Sequence, residues 1–383
     1  MLPKTESACF VIADISGYTN FISGVELDHA QDIIADIMDT LLRALRPTFR
    51  LAKFEGDAAF VYAVADKVDG SLLQDAIESA YFAFRKRLRS IKQANSCECQ
   101  ACSAMQSLDV KFVVHHGEFI KQKMGGQEEL AGRDVILVHR LLKNEVNKKL
   151  GGHAYALYSD ACVRAMGIDP AAQGLAEHDE AIDVIGATKC WIRDLEQAWT
   201  RENETTRIVV GRDDAFRVIE RSFAAPPPAG WEFVTSPAHH TRWQRADSFV
   251  EAAVNGRRGA GTRNHCVHGK DAIIEEILDW RPFDYVTLAA LLPIPGAPKI
   301  QLTHAFEGQA DGGTRLELRF GKPKPKDLAF FEQVWPTVQS NFEAGFDILR
   351  SMLEERASAS DAAGEPPIPV SRERFLTQPV HAR

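Results

Sequence analysis

Phe10-Val-Ile-Ala-Asp-Ile-Ser-Gly-Tyr-Thr19 decides how the first half of this chain is read. Cys9 to Ala13 is an apolar run of strand formers, cut off by Asp14 and then by the turn-prone pair Ser16-Gly17. A carboxylate at a strand end, followed by a tight glycine turn into a helix, suits a hard cation and a polyphosphate. Outward from it, Ile34, Ile37, Leu41 and Leu45 recur at helical spacing. Leu51 to Ala63 reads as a hairpin hinged at Glu55-Gly56-Asp57, which places a second carboxylate at its tip. Leu73, Ile77, Ala80, Phe84, Leu88 and Ile91 mark an amphipathic helix, and its basic run Phe84–Arg89 is expected on the solvated face. Val110, Phe112 and Val114 alternate along a strand from Leu108 to His115. Leu137, Leu141 and Leu142 begin a further helix, and short strands continue to about Trp199. Strand, helix, hairpin, helix, strand, helix, strand predicts an α+β fold whose N-terminal part is an α/β sandwich.

Around Arg212 the pattern changes. A strand is expected from Ala215 to Phe223, then short helices between Trp231 and Trp243. Strands follow near Arg263–His268, Ala272–Trp280, Tyr285–Leu292, Lys299–Phe306 and Arg315–Phe320. A long helix from Asp327 to Glu355 closes the series, with Pro336 expected to kink it. Beyond Ala357 the chain is rich in Ser, Ala and Pro. The reading is therefore one domain over 1–205, a second over 214–356 and a disordered tail over 357–383.

Hydrophobic residues make up 45% of the 383 and charged residues 26%, the balance of a chain with real cores. A net charge of −8 argues against general binding to nucleic acid or anionic membranes. Neither Cys9–Ala13 nor the proline-broken Tyr285–Pro298 reads as a membrane span. Seven cysteines with no export signal predict a cytoplasmic protein.

The N-terminal pattern resembles the class III nucleotidyl cyclases over residues 5 to about 195. Phe10–Thr19 is similar to that family's first metal-binding strand and phosphate loop, and Lys53-Phe-Glu-Gly-Asp57 to the hairpin with its second metal carboxylate. Val113-Val-His-His-Gly117 resembles its later core strand, and Gly132 to Arg140 its loop and helix of transition-state groups. The resemblance implies two Mg²⁺ or Mn²⁺ ions on Asp14, Asp57 and the Ile15 carbonyl, and triphosphate binding along Ser16, Gly17, Tyr18 and Thr19. It implies purine reading by Lys53 with Glu129, and stabilisation of the reacting phosphate by Arg140. It also implies conversion of ATP, ahead of GTP, to the cyclic monophosphate in a head-to-tail homodimer. Two positions depart from the family's pattern: Ile136 stands where an asparagine orients the ribose, and Ile185 where a lysine binds phosphate. With those departures, the alternative is a non-catalytic cyclase-like half that dimerises or senses.

Cys97-Glu-Cys-Gln-Ala-Cys102 lies in an insertion and can bring three thiolates to one structural Zn²⁺. An iron–sulfur cluster, a redox disulfide or free thiols are the other readings of the same run. His265 and His268 fall on opposite faces of a strand, which disfavours chelation. Gly256-Arg-Arg-Gly-Ala-Gly261 reads as a hairpin loop. The order of elements in the second half resembles the helix-grip fold of START-like and polyketide-cyclase-like domains. That resemblance implies a cavity for a hydrophobic small molecule, with Trp243, Trp280, Trp335 and Phe342 among its candidate walls, and a regulatory role for the domain.

Overall fold

In the computed structural model, which describes residues 4–64, 67–94, 100–182, 186–291 and 299–362, the opening apolar run is strand β1, Glu6–Ser16. It runs antiparallel between β3 (Ala58–Val64) and β4 (Asp109–Met124). Every residue from Ala8 to Ala13 is fully buried, which explains why the run is continuously apolar and does not alternate. The eight-stranded sheet has the order β2-β3-β1-β4-β6-β8-β7, with β5 (Gln127–Ala131) paired to the far half of β4. The remaining strands are β2 (Arg50–Glu55), β6 (Tyr155–Ser159), β7 (Ala176–Ile182) and β8 (Gly186–Asp194). Strands β4 and β6 run parallel, whereas β2–β3, β4–β5, β6–β8 and β7–β8 are antiparallel.

Helices α1 (Tyr18–Ser23), α2 (Leu27–Leu45) and α3 (Gly70–Ala94) form where the sequence pattern places helix. Helix α4 (Gln100–Ala104) follows, and α5 (Arg133–Leu141) packs Val135, Leu137, Val138 and Leu141 into a core with Phe10, Ile12, Phe60 and Phe119. Phe10 and Phe119 meet edge to face, their ring centroids 5.7 Å apart. Helices α6 (Val146–Leu150), α7 (Asp160–Ala165) and α8 (Leu195–Glu204) complete this part of the chain.

The chain forms two compact units. The first comprises Met1–Ile208 together with Glu251–Arg263 and Glu276–Pro282; the second comprises Val209–Val250, Asn264–Glu275 and Phe283–Arg383. Within the first unit, Arg257 donates to Asp75 Oδ1 at 2.8 Å and to both carboxylate oxygens of Glu78 at 2.9 and 2.8 Å. Arg193 adds a bond to Glu78 at 3.0 Å, and the Trp280 indole N–H donates to Asp75 Oδ2 at 3.0 Å. The loop read from sequence as a hairpin connection is thus anchored by its arginines to α3.

Strands β9 (Arg217–Phe223), β10 (Ser248–Ala252), β11 (Arg263–His268), β12 (Asp271–Arg281), β13 (Tyr285–Leu291), β14 (Lys299–Gly308) and β15 (Thr314–Phe320) make a second sheet of order β10-β11-β12-β13-β14-β15-β9. Between β9 and β10 lie α9 (Pro227–Thr235) and α10 (Pro237–Gln244), each opened by a proline whose missing N–H costs nothing in the first turn. Helix α11 spans Leu328–Ala362, continuing through Pro336 and extending past residue 357, where the sequence reading began the tail. Residues 363–383 lie outside the described ones. No helix among the described residues is long and apolar enough to cross a membrane.

Candidate functional site

The end of β1 and the tip of the β2–β3 hairpin come together. The Ile15 N–H donates to the Asp57 carbonyl at 3.2 Å, tying the tip to the residue after Asp14. Burial, and next the charge of Asp14, push the Asp57 carboxyl above its ordinary range, so the two carboxylates lie close enough to repel. Strand register sets Lys111 of β4 opposite Asp14, and its ammonium lies 3.1 Å from Asp14 Oδ2. Lys111 also donates to the Leu142 carbonyl at 3.3 Å. Two converging carboxylates match what Mg²⁺ asks of a protein when phosphate and water fill its other positions. Among the described residues no group of three or more Cys, His, Asp or Glu side chains forms a complete metal cage. The donor set therefore fits a hard cation brought in with a phosphate ligand, once the Lys111 ammonium gives up its place on Asp14.

Gly17 turns the chain with φ of +86°, and a Cβ there would meet the Ser107 carbonyl oxygen at 3.1 Å. Glycine is required by both the dihedral and the close approach. Ser16 and Tyr18 are half-buried, Gly17 and Thr19 exposed, so this turn is open along the edge beside Asp14.

Lys53 on β2 meets Glu129 on β5 at 3.3 Å and Glu55 at 3.0 Å. Glu55 first, and then Glu129, hold the Lys53 ammonium above the ordinary lysine range against a partial desolvation. Glu55 is also 3.0 Å from His139 Nε2 on α5. A donor beside an acceptor is the pattern that a purine edge presents in complement.

Helix α5 is seated by Asp134. Its carboxylate accepts the Glu118 N–H at 2.7 Å and stands over Gly117, where a Cβ would collide with it. His115, the first of the two histidines before Gly117, is buried, contacts Ser159 Oγ through Nδ1 at 2.7 Å and has Nε2 3.4 Å from Asp134. Arg140 and Ile136 are both exposed on this helix one turn apart, Ile136 with 57% of its surface open.

Other candidates are placed elsewhere. Cys97, Cys99 and Ile185 lie outside the described residues, and Cys102 is on α4 with its side chain outside them too. Trp280 belongs to the first unit on Asp75, and Trp243 is fully buried, stacked on Phe346 at 6.3 Å. Trp335 and Phe342 line a cavity inside the second unit. Lys111, Glu55, His139 and Asp134 were not singled out by sequence. The one signal for Lys111 is a cation beside the apolar run Phe112–Val114, on the strand next to the one that carries Asp14.

A family model described as a protein of unknown function, DUF2652, matches residues 34–150. The uncharacterized protein Rv2561/Rv2562 of Mycobacterium tuberculosis is 42% identical over 113 residues, which cover 30% of this chain and 52% of that one. The chain thus spans about half the length of the curated relative it matches. Solved structures similar to about half of this chain include adenylyl and guanylyl cyclases. The adenylyl cyclase CyaB from P. aeruginosa is 16% identical, covers 51% of this chain and 97% of its own, and has a TM-score of 0.37. The guanylyl cyclase Cya2 is 14% identical, covers 50% and 93%, and has a TM-score of 0.39. Protein Ms6760 from Mycobacterium smegmatis is 18% identical, covers 39% and 96%, and has a TM-score of 0.31. The reading of the site rests on its own residues.

Proposed function

We propose that the first unit binds a nucleoside triphosphate, ATP ahead of GTP, and converts it to the cyclic 3′,5′ monophosphate and pyrophosphate. The observation that carries this is the convergence of Asp14 and Asp57 beside an open glycine turn. Asp14, Asp57 and the Ile15 carbonyl would hold Mg²⁺ or Mn²⁺, which supplies polarisation of the phosphate oxygens and a more acidic ribose hydroxyl. The bond formed is O3′–Pα and the bond broken is that from Pα to the leaving pyrophosphate. Lys53 would donate to the purine ring while Glu129 accepts from its amino group, the two already meeting at 3.3 Å. Arg140, exposed on α5, would place its guanidinium on the reacting phosphate where negative charge develops. The resemblance puts the carboxylates of one subunit opposite the purine pair of the other, so a homodimer is part of the proposal. The second unit is read as a helix-grip module whose ligand regulates the first.

Two observations favour a second reading, in which the cyclase-like unit binds nucleotide or dimerises without catalysis. Lys111 already neutralises Asp14, and Ile136 offers hydrocarbon where the resemblance calls for a ribose-orienting donor. Loss of one transition-state donor costs about 10²–10³ in rate. The test is cyclic-nucleotide formation from ATP and GTP with Mn²⁺, with Asp57→Ala as control. Product that disappears in the variant supports catalysis; no product at high protein concentration supports the second reading.

A further inference from the structure

Inside the second unit, α11 covers a cavity of about 100 Å³ walled by Phe216, Phe320, Phe331, Trp335 and Phe342. Its lining is almost wholly apolar apart from Gln244, the Cys266–His268 pair and Glu275. Glu275 of β12 is only 9% exposed, and its Oε2 has no hydrogen-bond partner. Asn264 hydrogen-bonds the carboxyl group, yet no cation stands among the residues that line the cavity. A buried carboxyl left half-satisfied costs stability, and such groups in native proteins have a reason to be there.

We propose that this cavity holds a small uncharged cyclic molecule, about one ring in size, whose carbonyl or ether oxygen accepts a hydrogen bond from Glu275. The chemistry follows from three features. Aromatic walls favour a flat or compact apolar body. The volume is close to that of engineered cavities that bind benzene, roughly 150 Å³. The head group must satisfy a carboxyl that burial favours in its neutral, donor form. A cationic amine would also have to leave water, and a buried ion pair only roughly repays that cost. The Cys266 Sγ lies 3.2 Å from His268 Nε2, so these two satisfy each other; of the other two polar groups Gln244 is only half-buried, and Glu275 is the buried one with an unpaired oxygen.

This inference deepens the reading of the second unit as a ligand-binding module and rests on it. The test is titration of the full chain with cyclopentanone, methylcyclopentane and cyclopentylamine, followed by the Trp335 indole signal in ¹H–¹⁵N spectra. Cyclopentanone should bind about tenfold more tightly than methylcyclopentane, the gain expected of one buried hydrogen bond. Glu275→Gln, which keeps a donor, should retain that preference, and Glu275→Leu should erase it while still binding both rings. Equal binding of ketone and hydrocarbon to the unaltered protein would overturn the role of Glu275 but leave the module reading intact. Preference for the amine, lost in Glu275→Gln, would overturn the uncharged head group. Binding of none of the three would sink both.

Discussion

At the scale of single residues, Lys111 is the side chain that most sharply conditions the proposed nucleotide site. Its ammonium sits 3.1 Å from Asp14, and removing a unit charge at such range in a partly buried site changes cation affinity substantially. Lys111→Met should therefore tighten Mn²⁺ binding by tenfold or more, read by titration with the metal in the presence of a non-hydrolysable ATP analogue; an unchanged or weaker affinity would show that Lys111 does not compete there. Glu275 makes the second residue-scale prediction. Burial raises its carboxyl from 4.5 to about 7, with Asn264 pulling the other way and Cys266 and His268 nearby. Between those two values the folded state holds a proton that the unfolded state has lost, so stability falls as pH rises through that window. The loss is on the order of 3 kcal/mol, and Glu275→Gln should abolish it in denaturant curves taken from pH 4.5 to 7.5. A slope of equal size in the variant would place the titration elsewhere. Asp14 and Asp57 stand out in the sequence because strand end and hairpin tip are marked by their neighbours. Lys111 and Glu275 do not, since a charged residue within a strand reads as the polar side of an alternating pattern. Only register and burial show what each one faces.

At the scale of elements, the strands and helices with clear periodicity were legible. Arg263–His268 forms as read, and the hairpin at Glu55-Gly56-Asp57 is β2 and β3. What was not legible depends on pairing. Strand β4 runs on to Met124, past the expected end at His115, because Gly117 leaves room for Asp134 and does not break the strand. β5 is so polar that only its partner reveals it, and β10 is a five-residue strand interrupted by Glu251. Helix α3 supplies the clearest element-scale prediction. Arg257 satisfies buried Asp75 and Glu78 together; burial raises Glu78, but Arg257 and Arg193 more than offset it and leave it at about 2. Arg257→Ala takes the paired cation from buried Asp75 and leaves Glu78 to Arg193, and should destabilise the first unit by about 3 kcal/mol in chemical denaturation. A loss under 1 kcal/mol would mean that the pairing does not anchor the loop. Gly17→Ala, strained at φ of +86° and crowding the Ser107 carbonyl, should lower stability by about 1 kcal/mol or more in the same assay.

At the scale of the whole molecule, the α+β architecture could be read from the order of elements, and so could the change of pattern near Arg212. The membership of Glu251–Arg263 and Glu276–Pro282 in the first unit could not, because nothing local in a Gly-Arg-Arg-Gly loop says which carboxylates it will meet. The central proposal is that Asp14 and Asp57 of the first unit hold a metal-bound triphosphate. The most direct measurement is the stoichiometry of Mn²⁺ bound to the full chain with a non-hydrolysable ATP analogue, followed by paramagnetic resonance. The account predicts saturable, nucleotide-dependent Mn²⁺ binding that is lost in Asp14→Ala and in Asp57→Ala. Binding that does not need nucleotide, or that survives both substitutions, would contradict it.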